Sequence, residues 1–409
     1  MTRAAVLVAA ALTLAAPAAA DARTPNCPSS VGAPSAMVIE VSSGTAACAR
    51  APDRERPVGS TTKLMTALLT LEHAKLSDVF TAADYHPLPV ESKIGLLPGE
   101  KMTVRDLMRG LLIESGNDAA AALAKGVGGS QRKFVSEMNA RARQLGLKNT
   151  HYENPIGLDA AGNYSSARDL VTLATVLRTN RFFKRTVNLP QVTLKSGAYP
   201  RTFANRNLLV RRYGYVNGVK TGHTQGAGYV LVGSASRHGI QLVSAVLDEP
   251  SEAARDDDTI RLFDYAFHHF QRIRAVVKGR TMATVAIRAR AGARLDLVAG
   301  KTLRRIVRRG HRRDVKIAVH APDSVAGPIR RGERLGRIEV SQGGRHVATV
   351  PLVAANHVAA AGIAQQTKNL AATPLVLIGV AIAALGGTLL LARRASSRRR
   401  RPSREARAA

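Results

Sequence analysis

The run Pro374 to Ala392, PLVLIGVAIAALGGTLLLA, has no charged residue across nineteen positions and is followed by Arg393, Arg394, Arg398 to Arg401, Arg404 and Arg407. A helix of about twenty apolar residues spans a bilayer, and arginines directly behind such a run mark its cytoplasmic side. The pattern predicts a transmembrane helix over 374–392, a cytoplasmic tail over 393–409 and an outward-facing remainder. A helix buried in a globular core would not explain the arginine block. The other end agrees: Met1, Thr2 and Arg3 lead into an Ala/Leu/Val run and then Ala18, Ala19 and Ala20. That run is too short to span comfortably, so 1–20 reads as a signal peptide with an A-x-A cleavage site. The chain left to fold begins near Asp21.

With 45% apolar residues this remainder can bury a sizeable core, and its length suggests two domains. The formal net charge of +31 suits polyanionic surfaces. Nucleic acid is a poor match, because an exported chain meets little of it and only 4% of residues are aromatic for base stacking. Anionic lipid or wall polymer fits better. The two cysteines, Cys27 and Cys48, lie in an exported segment where a disulfide is permitted. Pairing would stabilise the N-terminal segment by roughly 3 kcal/mol in the chain-entropy account; two buried thiols are the other possibility.

Residues 36 to 44, AMVIEVSSG, alternate like a strand ending in a turn. From Ser60 the pattern turns helical, with Leu64, Met65, Leu68, Leu69 and Leu71 on one side and the Ser60 hydroxyl at a favoured N-cap position. Thr103 with Asp106, and Ser166 with Asp169, read as capping boxes opening two further helices, and an Ala-rich helix covers about 117 to 127. Strands are expected at Val192 to Leu194, Gly228 to Ala235 and Gln241 to Leu247, and a helix at about Ser251 to Arg272. The result is a mixed α/β domain over 21–275. Short strand-like runs between Gly and Pro predict a small all-β domain over 276–358, joined to the apolar run by a linker at 359–373.

Ser60-Thr61-Thr62-Lys63 places a hydroxyl and an amine three residues apart, neighbours on a helix. A serine becomes a good nucleophile only when a base takes its proton, and a lysine can do so if burial and a second cation depress its pKa. The spacing alone is weak, since Ser130 to Lys133 (SQRK) repeats it and reads as a helix cap. Downstream, however, stand Ser115-Gly116-Asn117 and Lys220-Thr221-Gly222. The order Ser-x-x-Lys, Ser-x-Asn, Lys-Thr-Gly marks serine penicillin-binding proteins and related β-lactamases. Lys195-Ser196-Gly197 also fits the third position, but Lys220 lies in VNGVKTGHTQGAGYVLVGSA, where a Gly-flanked strand lets a peptide approach along its edge.

On these motifs the chain resembles the low-molecular-mass penicillin-binding proteins of the D-alanyl-D-alanine carboxypeptidase type. The likeness extends through SGNDAAAALA, FVSEMNARARQLGLKNTHYENPIGLD, YSSARDL, EPSEAAR and GERLGRIEVSQGGRHVATVPLVA, covering most of 36 to 358. It implies a serine β-lactamase/penicillin-binding-like α/β (α+β) catalytic domain followed by the small all-β domain and the transmembrane helix. It further implies a peptidoglycan stem peptide ending D-Ala-D-Ala as substrate, β-lactams as covalent inhibitors, membrane lipid as partner and no cofactor or metal.

By the same resemblance Ser60 attacks the penultimate D-Ala carbonyl, Lys63 accepts its proton and Ser115 relays it to the leaving amine. Asn117 holds a substrate amide, and Lys220 lowers the Lys63 pKa. The backbone N–H groups of Ser60 and His223 form the oxyanion hole, and Thr221, beside Gly222, joins Arg255 on the substrate carboxylate. Arg255 reads equally well as a solvated arginine in a run with Asp256, Asp257 and Asp258. Two positions depart from the family pattern: Asn217 stands where Asp is usual, and Ile156 where His is common; both read as turn positions. A β-lactamase would need a Glu-x-x-Leu-Asn segment between Asn117 and Lys220, and none occurs. An inactive wall-binding or penicillin-sensing scaffold is the non-enzymatic reading, and the intact motifs argue against it.

Overall fold

A computed structural model describes residues 25–288, 290, 292–360 and 382–392. The chain forms two compact units. Among the described residues, one unit contains those up to Ile273 together with Ile306–Arg312; the other contains those of Arg274–Arg305 and those from Arg313 on.

The first unit starts with the hairpin β1 (Ser35–Glu40) and β2 (Thr45–Arg50), followed by α1 (Lys63–His73) and the short pair β3 (Val79–Thr81) and β4 (Lys101–Thr103). Helices α2 (Val104–Ile113), α3 (Asn117–Gly128), α4 (Gln131–Gln144), α5 (Ala167–Leu177) and α6 (Arg181–Thr186) come next. After the pair β5 (Gln191–Leu194) and β6 (Arg201–Ala204) and the single turn α7 (Leu209–Arg212), the chain runs through β7 (Val216–Thr224), β8 (Gly228–Arg237), β9 (Ile240–Glu249) and α8 (Glu252–His269).

One antiparallel sheet, ordered β2-β1-β9-β8-β7, organises this unit, and β7 is an edge. Both faces of the sheet are covered. Met37 and Ile39 of β1 and Val243 and Ala245 of β9 pack into a core with α1, α2, α3 and α5. Ala36 and Val38 of β1 and Leu242 and Val246 of β9 face the opposite way, against Leu262, Phe263, Ala266 and Phe267 of α8. Burial on two sides removes the apolar/polar alternation of a half-exposed strand, so β8 and β9 read as continuous apolar runs. The same physics hid β2: TAACAR has four buried small residues in a row and no period-two signal. Cys27 and Cys48 of β2 form a disulfide with their Cα atoms 4.8 Å apart.

The sequence-based caps are half realised. Thr103 and Ser166 accept from the backbone N–H groups of Asp106 and Asp169, as N-caps do. The aspartates do not reach back to complete a box. Asp106 instead accepts from the backbone of Lys195 and Ser196, and Asp169 from Asn149 and Thr150. Ser60 is a correction: it caps no helix. It sits in a 3-10 turn, Gly59–Thr62, ahead of α1, and its hydroxyl is used elsewhere.

The remaining strands are β10 (Phe270–Val276), β11 (Thr281–Ile287), β12 (Arg294–Ala299), β13 (Leu303–Arg308), β14 (Val315–His320), β15 (Ser324–Val325), β16 (Arg334–Gln342) and β17 (Arg345–Ala354). β10 pairs with β13. The second unit is built on a six-stranded sheet ordered β14-β16-β17-β12-β11-β15 around Val285, Leu297, Ile338, Val340, Val350 and Leu352. Residues 374–381 of the expected membrane span, and the signal peptide 1–20, lie outside the described residues. Residues 382–392 are helical, and no described helix is long and apolar enough to cross a membrane.

Candidate active site

The Ser60 turn is held by close backbone packing against edge strand β7. Gly59 has φ +53, a region that side chains resist, and a Cβ there would lie 3.0 Å from the His223 backbone nitrogen. A Cβ on Gly222 would lie 2.7 Å from the Val58 carbonyl oxygen and 3.2 Å from the Ser60 nitrogen. Glycine at both positions therefore lets the 58–60 backbone pack closely against the 222–223 backbone.

From this turn the first helical residue, Lys63, extends its amine back to donate to Ser60 Oγ at 2.7 Å. The same Nζ donates to the Ile156 carbonyl at 2.9 Å. Lys63 is completely buried. Burial first, and then the nearby charge of Lys220, push its pKa well below the usual lysine value, while Glu91 and Asp118 oppose the shift. Lys220 is itself buried in β7 and donates to the Thr221 carbonyl at 2.9 Å. Burial and then Arg206 lower it to about 7, with Arg255 adding and Glu114 opposing. A lysine whose pKa is lowered in this way is better able to accept a proton from a neighbouring hydroxyl.

Ser115 lies between α2 and α3 with φ +69, a left-handed conformation that costs a non-glycine residue about 1–3 kcal/mol. Its buried hydroxyl has no hydrogen-bond partner among the described residues. Two residues on, the Asn117 amide donates to Glu91 Oε2 at 2.6 Å and its backbone N–H to the Ser92 carbonyl at 2.8 Å. The 94–96 loop is pinned by Asp118, whose carboxylate accepts from the N–H groups of Ile94, Gly95 and Leu96.

These elements enclose a cavity of about 510 Å³ lined by Ser60, Ser115, Asn117, Thr221, Gly222, His223 and Arg255. Lys63 and Lys220 lie buried behind this lining, and Cys27 and Cys48 belong to the α8-side core. His223 is exposed, and its ring packs on Tyr229 of β8 with centroids 4.1 Å apart. Arg255 is no solvated arginine: it is 3% exposed and bound to Glu252 and Asp256.

Sequence reasoning missed Glu91, Arg206 and Glu252, which also line the cavity. Only Glu252 had a signal, lying three residues before Arg255 in a helical segment. The alternative motifs are occupied in other ways. Ser130 caps α4 by accepting from the Lys133 N–H, and Lys195-Ser196 is tied to Asp106. Asn217 lies in β7 rather than a turn. Its side chain accepts from Ser234 Oγ, and Arg178 donates to its carbonyl and to Ser234. Ile156 is a buried turn residue whose carbonyl supports Lys63.

A serine whose hydroxyl meets the amine of a buried lysine can be activated for nucleophilic attack, an arrangement suited to a serine hydrolase. The family model described as D-alanyl-D-alanine carboxypeptidase matches residues 20–251, and that of the penicillin-binding protein 5 C-terminal domain matches 270–360. The chain belongs to the D-alanyl-D-alanine carboxypeptidase family. It is 30% identical to D-alanyl-D-alanine carboxypeptidase DacF of Bacillus subtilis over 337 residues, 81% of this chain and 87% of the relative. The D-alanyl-D-alanine carboxypeptidase of Streptomyces sp. strain K15 is 36% identical over 242 residues, 55% of this chain and 83% of that one. Penicillin-binding protein 5 of Haemophilus influenzae superposes with a TM-score of 0.60 at 28% identity, over 81% of this chain and 99% of that structure.

Proposed function

We propose that Ser60 is the nucleophile with which this serine D-Ala-D-Ala carboxypeptidase removes the terminal D-Ala from peptidoglycan stem peptides. The reading rests above all on the 2.7 Å contact between Ser60 Oγ and the amine of a buried Lys63. Ser60 Oγ attacks the penultimate D-Ala carbonyl as Lys63 Nζ takes its proton. The oxyanion lies between the N–H groups of Ser60 and His223; losing one such donor typically costs about 3 kcal/mol of transition-state stabilisation. Ser115 passes the proton to the departing nitrogen, the C–N bond breaks and D-Ala leaves. Water then cleaves the ester and restores Ser60. Each step uses only side chains, backbone and water.

Asn117 holds a substrate amide, while Thr221, Arg255 and the newly found Arg206 receive the terminal carboxylate; guanidinium groups match a carboxylate's two oxygens. β-Lactams acylate the same oxygen. Protein comprising residues 21 to 370 is expected to release D-Ala from a peptide ending D-Ala-D-Ala and to take up labelled penicillin. Labelling without release would favour a sensor.

We also propose export through 1–20 and anchoring through 374–392 with the arginine tail in the cytoplasm, supported by the uncharged run and its flanking charge. Deleting 374–409 is expected to release the protein from membranes; retention of the truncated form there would contradict the anchor.

A further inference from the structure

We propose that Glu91 is a specificity-determining residue that pairs with a cationic side chain on the substrate residue preceding the two terminal D-alanines. The inference rests on the assignment of Ser60 and Asn117 above. The cavity has two electrostatic neighbourhoods. Arg206 and Arg255 act on Lys220, while Glu91 acts on Lys63 and bonds Asn117. The substrate carboxylate belongs with the first. The second lies by Asn117, which takes an amide on the acyl side, so the residue preceding the D-alanines passes it.

Glu91 is the lining carboxylate to which no arginine is bound among the described residues; the cation it feels is the buried Lys63. Glu252, which also lines the cavity, is ion-paired with Arg255. Among the described residues Glu91 has no ion pair, and its partners are neutral donors: the Tyr85 hydroxyl and Asn117 amide on Oε2, and the Leu88 N–H at 3.2 Å on Oε1. Burial tends to raise its pKa, but the bonds from Tyr85 and Asn117 outweigh that and hold it lowered, so the carboxylate is charged at neutral pH. A carboxylate has about four acceptor sites, so Oε1 keeps room for an ammonium donor. A partly exposed pair of this kind is worth about fivefold in affinity.

The test compares D-Ala release from Nα-acetyl-L-Lys-D-Ala-D-Ala with release from the same peptide acetylated on Nε. The wild type is expected to favour the free amine by about fivefold in kcat/KM, with the preference shrinking at high salt. In Glu91→Gln the ratio should fall to about one while penicillin still labels Ser60. Equal rates for the two peptides in the wild type, or an unchanged ratio in Glu91→Gln, would overturn the proposal. Should Glu91→Gln fail to label, the wild-type ratio and its salt dependence decide alone. If neither peptide releases D-Ala and Ser60 takes no label, the underlying functional reading falls as well.

Discussion

Ser60 to Lys63 and Ser130 to Lys133 share one spacing and have different surroundings. In the first, the serine lies on a 3-10 turn beneath β7 and the lysine is wholly buried with its amine on the serine oxygen. In the second, the serine caps α4 through the backbone N–H of the lysine, and Lys133 is exposed. Three-residue spacing brings two groups within reach in both places. Only burial beside a second cation lowers the pKa of one amine, so its fitness as a base depends on Lys220 and the surrounding packing as much as on the motif.

The largest expected contrast follows directly. Ser60→Ala should abolish both penicillin labelling and D-Ala release, whereas Ser130→Ala should leave both at wild-type levels; the reverse pattern would move the nucleophile to α4. A subtler contrast concerns Lys220. Its positive charge lowers the Lys63 pKa, so Lys220→Gln should raise that pKa and shift the acid limb of the kcat/KM profile to higher pH, along with lowering the rate. Glu91 acts on Lys63 in the opposite sense, and Glu91→Gln should shift the limb to lower pH. Shifts of the same sign in both variants would contradict a Lys63 base tuned by these charges. The smallest effect belongs to Ser130. Losing an N-cap costs about 1 kcal/mol, so Ser130→Ala should lower the denaturation midpoint slightly without touching activity.

Much of this architecture was legible in the sequence because its signals are local. The periodicity of α2 and α5 and the caps Thr103 and Ser166 depend on neighbours a turn away. The nine site residues named from the motifs and the resemblance gather at one place, seven lining the cavity and two lysines behind it. What stayed hidden depends on contacts between distant segments. Glu91 reaches the cavity because Asp118 of α3 pins the 94–96 loop, and Arg206 reaches it from the connection after β6, held by Glu114 at the end of α2. The burial of Arg255 could not be read from a run that also contains Asp256, Asp257 and Asp258. Asp256 and Asp258 are buried with it, bound to Arg255 and to the Gly32 and Ala33 N–H groups.

Mapping the penicilloyl adduct by mass spectrometry of protease digests identifies the nucleophile. The added mass is expected on the peptide containing Ser60, and is expected to disappear in Ser60→Ala. Adduct on the peptide containing Ser130 or Ser115, or undiminished labelling of Ser60→Ala, would contradict Ser60 as the nucleophile.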